Sequence, residues 1–242
     1  MALDVHLFPC RSDNYGFLVR EPDSGAVAAI DTPDAARIVE ELDRLGWGRL
    51  DLILNTHWHP DHTEGNAALK AETGCEIVGP EEVRRVAPLD RVVADGDRVT
   101  LGGATFEVTL TPGHTLGHVV YRCAAEDLAF VGDTLFALGC GRLFEGTPEQ
   151  MFDSLRVLAA WPEQTVIWCA HEYTAANARF ALSLDDRPEM KAHAAAIFQA
   201  RERGEPTVPT TLAAELAFNP FLRARDAADF AARRAAKDQF GG

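Results

Sequence analysis

Short apolar runs alternate with amphipathic segments over the first two thirds of the chain. The apolar runs have the length of strands, and the amphipathic segments have the 3.6-residue period of helices. The predicted strands include 51–54, 105–110, 128–131 and 166–169, and the predicted helices include 35–45 and 148–160. Strands that alternate with helices in this way are typical of an α/β domain.

The pattern changes after residue 173. Strand signals fade, and alanine-rich amphipathic segments separated by proline and glycine take their place. We expect four helices there, at about 174–184, 188–203, 209–217 and 226–238. The chain is therefore divided into a first domain over residues 1–172 and a helical second domain over residues 173–242.

Composition limits the classes of function. The chain of 242 residues carries 37 acidic and 23 basic side chains, and its net charge of -14 argues against nucleic-acid binding. No run approaches the length of a membrane span, and the start of the chain lacks the features of a secretion signal. The five cysteines are odd in number and form no Cys-x-x-Cys pair, which favours a reducing cytoplasm.

Three histidines and an aspartate lie in the run Thr-His-Trp-His-Pro-Asp-His at 56–62, directly after a predicted strand. The i, i+2 spacing of His57 and His59 directs both to one side of an extended backbone, while Asp61 and His62 can turn toward a second position. A polar surface loop is the alternative, but so dense a cluster argues against it. One loop can thus contribute to two metal sites.

Further residues of the kinds that bind metals follow other predicted strands. His114, Asp133 and His171 each come shortly after an apolar run. Taken alone, His114 is compatible with an ordinary loop histidine and Asp133 with a simple turn, but their shared placement favours one common edge of a sheet. A set of imidazoles and carboxylates without cysteine suits zinc, iron or manganese.

The order of these residues resembles the metallo-β-lactamase superfamily. Five further segments resemble one family within it, the hydroxyacylglutathione hydrolases or glyoxalase II enzymes, and the resemblance extends to the last residues. These segments are Cys-Gly-Arg-Leu-Phe-Glu-Gly-Thr at 140–147, His-Glu-Tyr-Thr at 171–174, Gly-Glu-Pro-Thr-Val-Pro at 204–209, Asn-Pro-Phe at 219–221 and Lys-Asp-Gln-Phe at 237–240.

The resemblance implies an αββα sandwich followed by a helical, glutathione-binding domain. It also implies a binuclear site of two divalent ions. Zinc is the expected metal, and iron or manganese are the alternatives. Asp61 and Asp133 would be catalytic as well as metal-binding. By resemblance, His57, His59 and His114 would bind one ion, Asp61, His62 and His171 the other, and Asp133 would bridge them with a water or hydroxide.

The implied reaction is hydrolysis of S-2-hydroxyacylglutathione thioesters by a metal hydroxide. S-lactoylglutathione is the expected substrate, since the family completes the detoxification of methylglyoxal. The chain has no Gly-x-Ser-x-Gly elbow, which argues against a serine nucleophile. By resemblance, the glutathione moiety would contact Arg142, Tyr173, Arg234 and Lys237.

Two departures from the family lie in the segment at 140–147. The family often has lysine and tyrosine where this chain has Arg142 and Phe144. Arginine keeps the positive charge, whereas phenylalanine removes a hydroxyl that can form a hydrogen bond. A wider group of cations near the end of the chain is expected to form a patch that binds a small anion. The alternative is a solvated helix face. The group consists of Arg223, Arg225, Arg233, Arg234 and Lys237.

Two other functions stay open. One is an oxidoreductase that resembles the glutathione persulfide dioxygenases and uses a single iron, and the other is a metal- and glutathione-binding protein without turnover. We expect a monomer whose partner is a small-molecule glutathione thioester, with neither nucleic acid nor membrane bound. Asp31 is expected to form a hydrogen bond with a ligand histidine and so to orient it. His118 is expected to stabilise the turn at 115–117 and not to bind metal.

Overall fold

The computed structural model describes residues 2–241. It contains two compact units. The first comprises the chain up to Leu110 together with residues 117–132, and the second comprises residues 111–116 together with the chain from Asp133 onward.

A mixed sheet of six strands forms one half of the first unit. Its strands lie side by side in chain order: β1 (Asp4–Cys10), β2 (Asn14–Arg20), β3 (Val27–Ile30), β4 (Leu52–Leu54), β5 (Glu76–Gly79) and β6 (Arg91–Val92). The first three are antiparallel, and β3 to β6 are parallel. The residues of β3 and β4 are all buried, as expected for parallel strands covered on both faces.

A second, antiparallel group of strands faces this sheet. It consists of β7 (Arg98–Leu101), β8 (Ala104–Leu110), β9 (Val119–Cys123) and β10 (Leu128–Gly132). The ring of Phe130 on β10 lies 5.6 Å from the ring of Phe17 on β2, so the core lies between the two sheets. The predicted strands 105–110 and 128–131 are thereby confirmed.

Helices cover the other face of the first sheet. They are α1 (Ala35–Leu45), α2 (Pro60–Thr63) and α3 (Asn66–Thr73). The Asp34 carboxylate caps the start of α1 by accepting from the Arg37 N–H, and Gly46 ends the helix in the left-handed conformation with φ 66°. Ile38 of α1 packs in the same buried cluster as Ile53 of β4. The predicted helix 35–45 is confirmed.

The second unit is mainly helical. It contains the hairpin β11 (Leu135–Phe136) and β12 (Gly139–Cys140), the helix α4 (Pro148–Ala159), the antiparallel pair β13 (Val166–Cys169) and β14 (Thr210–Thr211), and the helices α5 (Thr174–Leu184), α6 (Pro188–Glu202), α7 (Leu212–Phe218) and α8 (Ala227–Asp238). One expectation is corrected. The segment predicted as a helix at 209–217 begins with strand β14, and the helix starts only where Thr211 caps it.

The remaining expectations on the fold concern cysteines and membranes. All five cysteines are buried free thiols. None of the helices within residues 2–241 combines the length and the apolar character that crossing a bilayer requires.

Candidate functional sites of the two units

In the first unit, the loop after β4 brings its histidines and Asp61 together. The Nε2 atom of His57 lies 2.9 Å from Nδ1 of His59. The Nε2 atom of His62 lies 3.5 Å from Oδ2 of Asp61, and both residues are on α2, not in an irregular loop. The pairs predicted from the spacing are therefore observed, each with its ligand atoms facing one another.

Asp31, at the end of β3, orients this loop. One carboxylate oxygen accepts the Thr56 N–H at 2.8 Å, and the other lies 2.8 Å from both the Thr56 hydroxyl and Nδ1 of His62. Because Nδ1 of His62 is held by Asp31, Nε2 is the atom that can bind a cation. The predicted contact between Asp31 and a histidine of the loop is confirmed.

Two neighbours of the loop were not predicted from the sequence. The Asn14 side chain donates to Oδ2 of Asp61 at 3.0 Å. His118, expected to brace a turn, is fully buried, and its ring is stacked on His57 with centroids 4.8 Å apart. A Cβ on Gly132 would lie 2.7 Å from Nε2 of His118, so only glycine fits at that position. No local sequence signal marks these contacts.

In the second unit, Asp133 lies between two histidines. Its Oδ2 is 3.3 Å from Nε2 of His114, and its Oδ1 is 3.4 Å from Nε2 of His171. All three residues are buried. One carboxylate thus places an oxygen beside each of two imidazoles.

The segment after β12 fixes His114. Its Nδ1 lies 2.8 Å from the carbonyl oxygen of Arg142, so Nδ1–H donates there and Nε2 is directed toward Asp133. A Cβ on Gly141 would lie 2.0 Å from the Asp133 carbonyl oxygen. The glycine of the Cys-Gly-Arg segment is thus required by the close approach of two backbones.

A cleft of about 500 Å³ in the second unit opens beside Asp133. It is lined by His114, Asp133, Phe136, Cys140, Arg142, Phe144, Tyr173, Ala176, Asn177, Arg234, Lys237, Asp238 and Phe240. All four residues predicted to contact glutathione belong to this lining. The Tyr173 ring stacks on His171 with centroids 4.7 Å apart, and Phe144, 63% exposed, meets His114 edge-on.

The cations of the cleft differ in how they are held. Arg234 is buried, and its guanidinium donates to the Cys140 carbonyl at 2.9 Å and to Asp238 at 2.7 Å. Arg142 is largely exposed and lies 3.9 Å from Asp238. Burial, followed by the charges of Arg234 and Arg142, lowers the pKa of Lys237, whose ammonium donates to the Ala176 carbonyl at 3.1 Å.

The wider cationic patch expected from the sequence is not observed. Arg223 pairs with Asp185 at 2.5 Å, and Arg225 and Arg233 both pair with Asp229, at 3.1 and 2.9 Å. These arginines are neutralised by acids that the sequence pattern did not pair with them. Of the five cations, only Arg234 and Lys237 belong to the lining of the cleft.

The donors of both units are imidazole nitrogens and carboxylate oxygens without a thiolate. They are buried or half-buried, and His62 and His114 are each held through Nδ1 by a neighbouring group. Such a set is one that divalent cations bind. The residues present therefore fit the metals that the family implies.

Comparison with known proteins agrees with these observations. Residues 17–171 match the model of the metallo-beta-lactamase superfamily, and residues 172–240 match that of the hydroxyacylglutathione hydrolase C-terminus. The hydroxyacylglutathione hydrolase of Erythrobacter litoralis is 50% identical, with 98% of this chain and 100% of the relative covered. That of Maricaulis maris is 56% identical, with 93% and 88% covered.

Among solved structures, the crystal structure of ETHE1 from Myxococcus xanthus matches with a TM-score of 0.74 at 25% identity, covering 100% of this chain and 92% of that one. The metallo-β-lactamase fold with a helical C-terminal part, expected from the sequence, is confirmed. The chain belongs to the hydroxyacylglutathione hydrolase family of the metallo-β-lactamase superfamily.

Proposed function

We propose that this enzyme hydrolyses S-2-hydroxyacylglutathione thioesters to glutathione and a 2-hydroxy acid, with S-lactoylglutathione as the substrate. One observation carries the proposal. The lining of a single cleft contains two buried residues of the kinds that bind metals, His114 and Asp133, together with the cations Arg142 and Lys237. A thioester whose thiol part bears carboxylates needs both. The relatives at about 50% identity carry the name of this activity.

The metal ligands follow from the family pattern. His57, His59 and His114 are proposed to bind one divalent cation, and Asp61, His62 and His171 a second, with Asp133 shared between them. Zinc is the proposed metal, and iron or manganese are compatible with the same donors. When bound, such cations supply an activated water at neutral pH and polarise the carbonyl under attack.

The residues of the chain prepare this chemistry. Asp31 and the Arg142 carbonyl hold the Nδ1 atoms of His62 and His114, so each ring presents Nε2. Asp133 places one carboxylate oxygen beside His114 and the other beside His171. A thiolate with a pKa of roughly 8.5 leaves without prior protonation, so the site needs no strong general acid.

Substrate binding is proposed to use the cleft of the second unit. Arg142 and Lys237 would bind carboxylates of glutathione through charge-assisted hydrogen bonds. Arg234 would act from the floor of the cleft, since its guanidinium is already bonded to Cys140 and Asp238. Tyr173, stacked on His171, would contact the tripeptide next to the reacting thioester.

Three further expectations remain proposals of the same kind. Residues 1–172 are proposed as the catalytic domain and residues 173–242 as the glutathione-binding domain. The enzyme is proposed to act as a monomer. Its proposed location is the cytoplasm, where glutathione is reduced and buried thiols such as those of this chain persist.

The test compares three assays on the metal-loaded enzyme. Loss of thioester absorbance with S-lactoylglutathione is expected to be fast, whereas the coenzyme A thioester of the same acid, which lacks the tripeptide, is expected to react at least tenfold more slowly, in roughly the range that carboxylate contacts supply. Oxygen consumption with glutathione persulfide is expected to be absent. Oxygen consumption without thioester hydrolysis would establish the dioxygenase instead.

A further inference from the structure

The hairpin of β11 and β12 has an unusual tip. Leu138, the second of its two central residues, has φ 56°, a conformation that glycine usually provides. Its side chain is 1% exposed and packs among Ala178, Met190 and other residues of α5 and α6. A branched residue persists in this conformation only where the surroundings hold it.

The group that holds the tip is a carboxylate. Oε2 of Glu215, on α7, accepts the Leu138 N–H at 2.8 Å, and Oε1 accepts the Thr210 hydroxyl at 2.8 Å. Glu215 is 1% exposed, and its hydrogen-bond partners among the described residues are the Leu138 N–H, the Thr210 hydroxyl and the Asn219 amide, none of which is a cation. Burial raises its pKa to about 7.

Two asparagines bind the other polar groups of the hairpin. The Asn219 amide donates to the carbonyls of Phe136 at 3.2 Å and Gly139 at 3.0 Å, and also to Glu215 at 2.9 Å. Asn177 donates to the Ala137 carbonyl at 3.0 Å. These contacts give a structural role to the Asn-Pro-Phe segment at 219–221, which has no assigned part in metal binding or substrate binding.

The hairpin in turn touches two residues of the cleft. The Phe136 ring lies edge-on to Tyr173 with centroids 5.3 Å apart, and edge-on to His171 at 5.8 Å. The Cys140 carbonyl accepts from Arg234. A shift of the hairpin would therefore move the ring beside Tyr173 and the acceptor that anchors Arg234 together.

We propose that Glu215 and Asn219 are positioning residues for substrate binding, which hold the hairpin so that Phe136 sets Tyr173 and Cys140 sets Arg234. The inference rests on the proposed function only in assigning the substrate. A buried carboxylate without a cation is costly, and an apolar residue of similar size would fill the space at lower cost. Its presence is explained if it defines one geometry of the hairpin.

Four variants test the proposal. Glu215→Leu and Asn219→Ala each remove hydrogen bonds to the hairpin. If one of these variants does not fold, the other still tests the proposal. Glu215→Gln is the conservative rescue, since its carbonyl can accept from Leu138 and its amide can donate to Thr210. Thr210→Val is the matched control, because it removes a bond to Glu215 that does not reach the hairpin.

In Glu215→Leu and Asn219→Ala, the KM for S-lactoylglutathione and the calorimetric Kd for glutathione are expected to rise about tenfold, while kcat and bound metal change less than about twofold. Glu215→Gln and Thr210→Val are expected to stay within about twofold of wild type in both constants. A purely structural role would lower the melting temperature and leave KM and Kd unchanged.

Unchanged KM and Kd in a folded Glu215→Leu or Asn219→Ala would overturn the inference. Wild-type enzyme that binds glutathione without hydrolysing the thioester would refute the proposed function alone, and the glutathione Kd values of the variants would still decide the inference. Wild-type enzyme that binds no glutathione would overturn both.

Discussion

The two units hold their histidines by different means. In the first unit, His57, His59 and His62 come from one contiguous loop, and the side chain of Asp31 bonds both Thr56 and His62. In the second unit, His114 is oriented by a backbone carbonyl, and His171 lies between aromatic rings. A substitution of Asp31 can therefore release His62, whereas the contact that orients His114 is made by the main chain.

The strongest way to break this comparison is to remove Asp133, whose two carboxylate oxygens lie beside His114 and His171. Asp133→Ala is expected to lower kcat by a factor on the order of 1000, because both His114 and His171 lose their shared carboxylate. Steady-state kinetics with metal analysis would measure it. Activity within tenfold of wild type would show that Asp133 is not the shared ligand.

The buried carboxylate under the hairpin makes the second unit sensitive to pH. The pKa of Glu215 is raised to about 7, so between its unfolded value near 4.5 and about 7 the folded state binds more protons. The stabilising effect of protonation is present below pH 4.5 and is lost as pH rises through 7. Relative to Glu215→Gln, the wild type should lose about 3 kcal/mol of unfolding free energy over this window.

Denaturant unfolding of both proteins at several pH values would measure this difference. A difference between wild type and Glu215→Gln that stays constant with pH would mean that Glu215 does not titrate in this range. The window ends near neutral pH, so it is separate from acid unfolding driven by the exposed carboxylates.

The first unit offers a sharper test through Asp31. Asp31→Asn keeps the size of the side chain but removes the charge that orients His62, and metal affinity is expected to fall about 10- to 100-fold. Competition with a chelator would measure it. Asp51→Asn is a matched control, since Asp51 accepts the Val27 N–H in the same unit away from the loop. Equal affinities for both variants would remove the role assigned to Asp31.

Lys237 tests the charge of the cleft. Lys237→Met is expected to raise KM about tenfold, as loss of one charge-assisted bond does. Because burial and neighbouring cations lower the pKa of Lys237, its charge is lost at a lower pH than that of an exposed lysine. Wild-type KM should therefore increase as pH rises toward that pKa, and KM of the variant should not. Lys191→Met, an exposed position on α6, is the control.

The smallest effect is expected at Phe144. Phe144→Tyr restores a hydroxyl at an exposed ring beside His114, and it should tighten product inhibition by glutathione by about 0.5 to 1.5 kcal/mol. An inhibition constant equal to that of wild type would show that the hydroxyl finds no partner in this cleft.

The same contrast explains what could be predicted from the sequence. The loop at 56–62 was predicted in detail because its ligands are contiguous and follow one strand. Asp133 and His171 were placed by strand ends alone. The pairing of Arg223 with Asp185, and of Glu215 with Leu138 77 positions away, depends on tertiary packing that no local pattern encodes. The contact between His118 and His57 depends on the same kind of packing, since the two residues are distant in the chain.

The central proposal is that this chain is a metal-dependent thioesterase that binds two divalent ions. Metal content and turnover of S-lactoylglutathione, measured together on wild type and Asp61→Ala, test it most directly. We expect about two divalent metals per wild-type chain with fast turnover, and loss of one metal and at least 100-fold of kcat in the variant. A single bound iron without thioester hydrolysis, or full activity in Asp61→Ala, would contradict it.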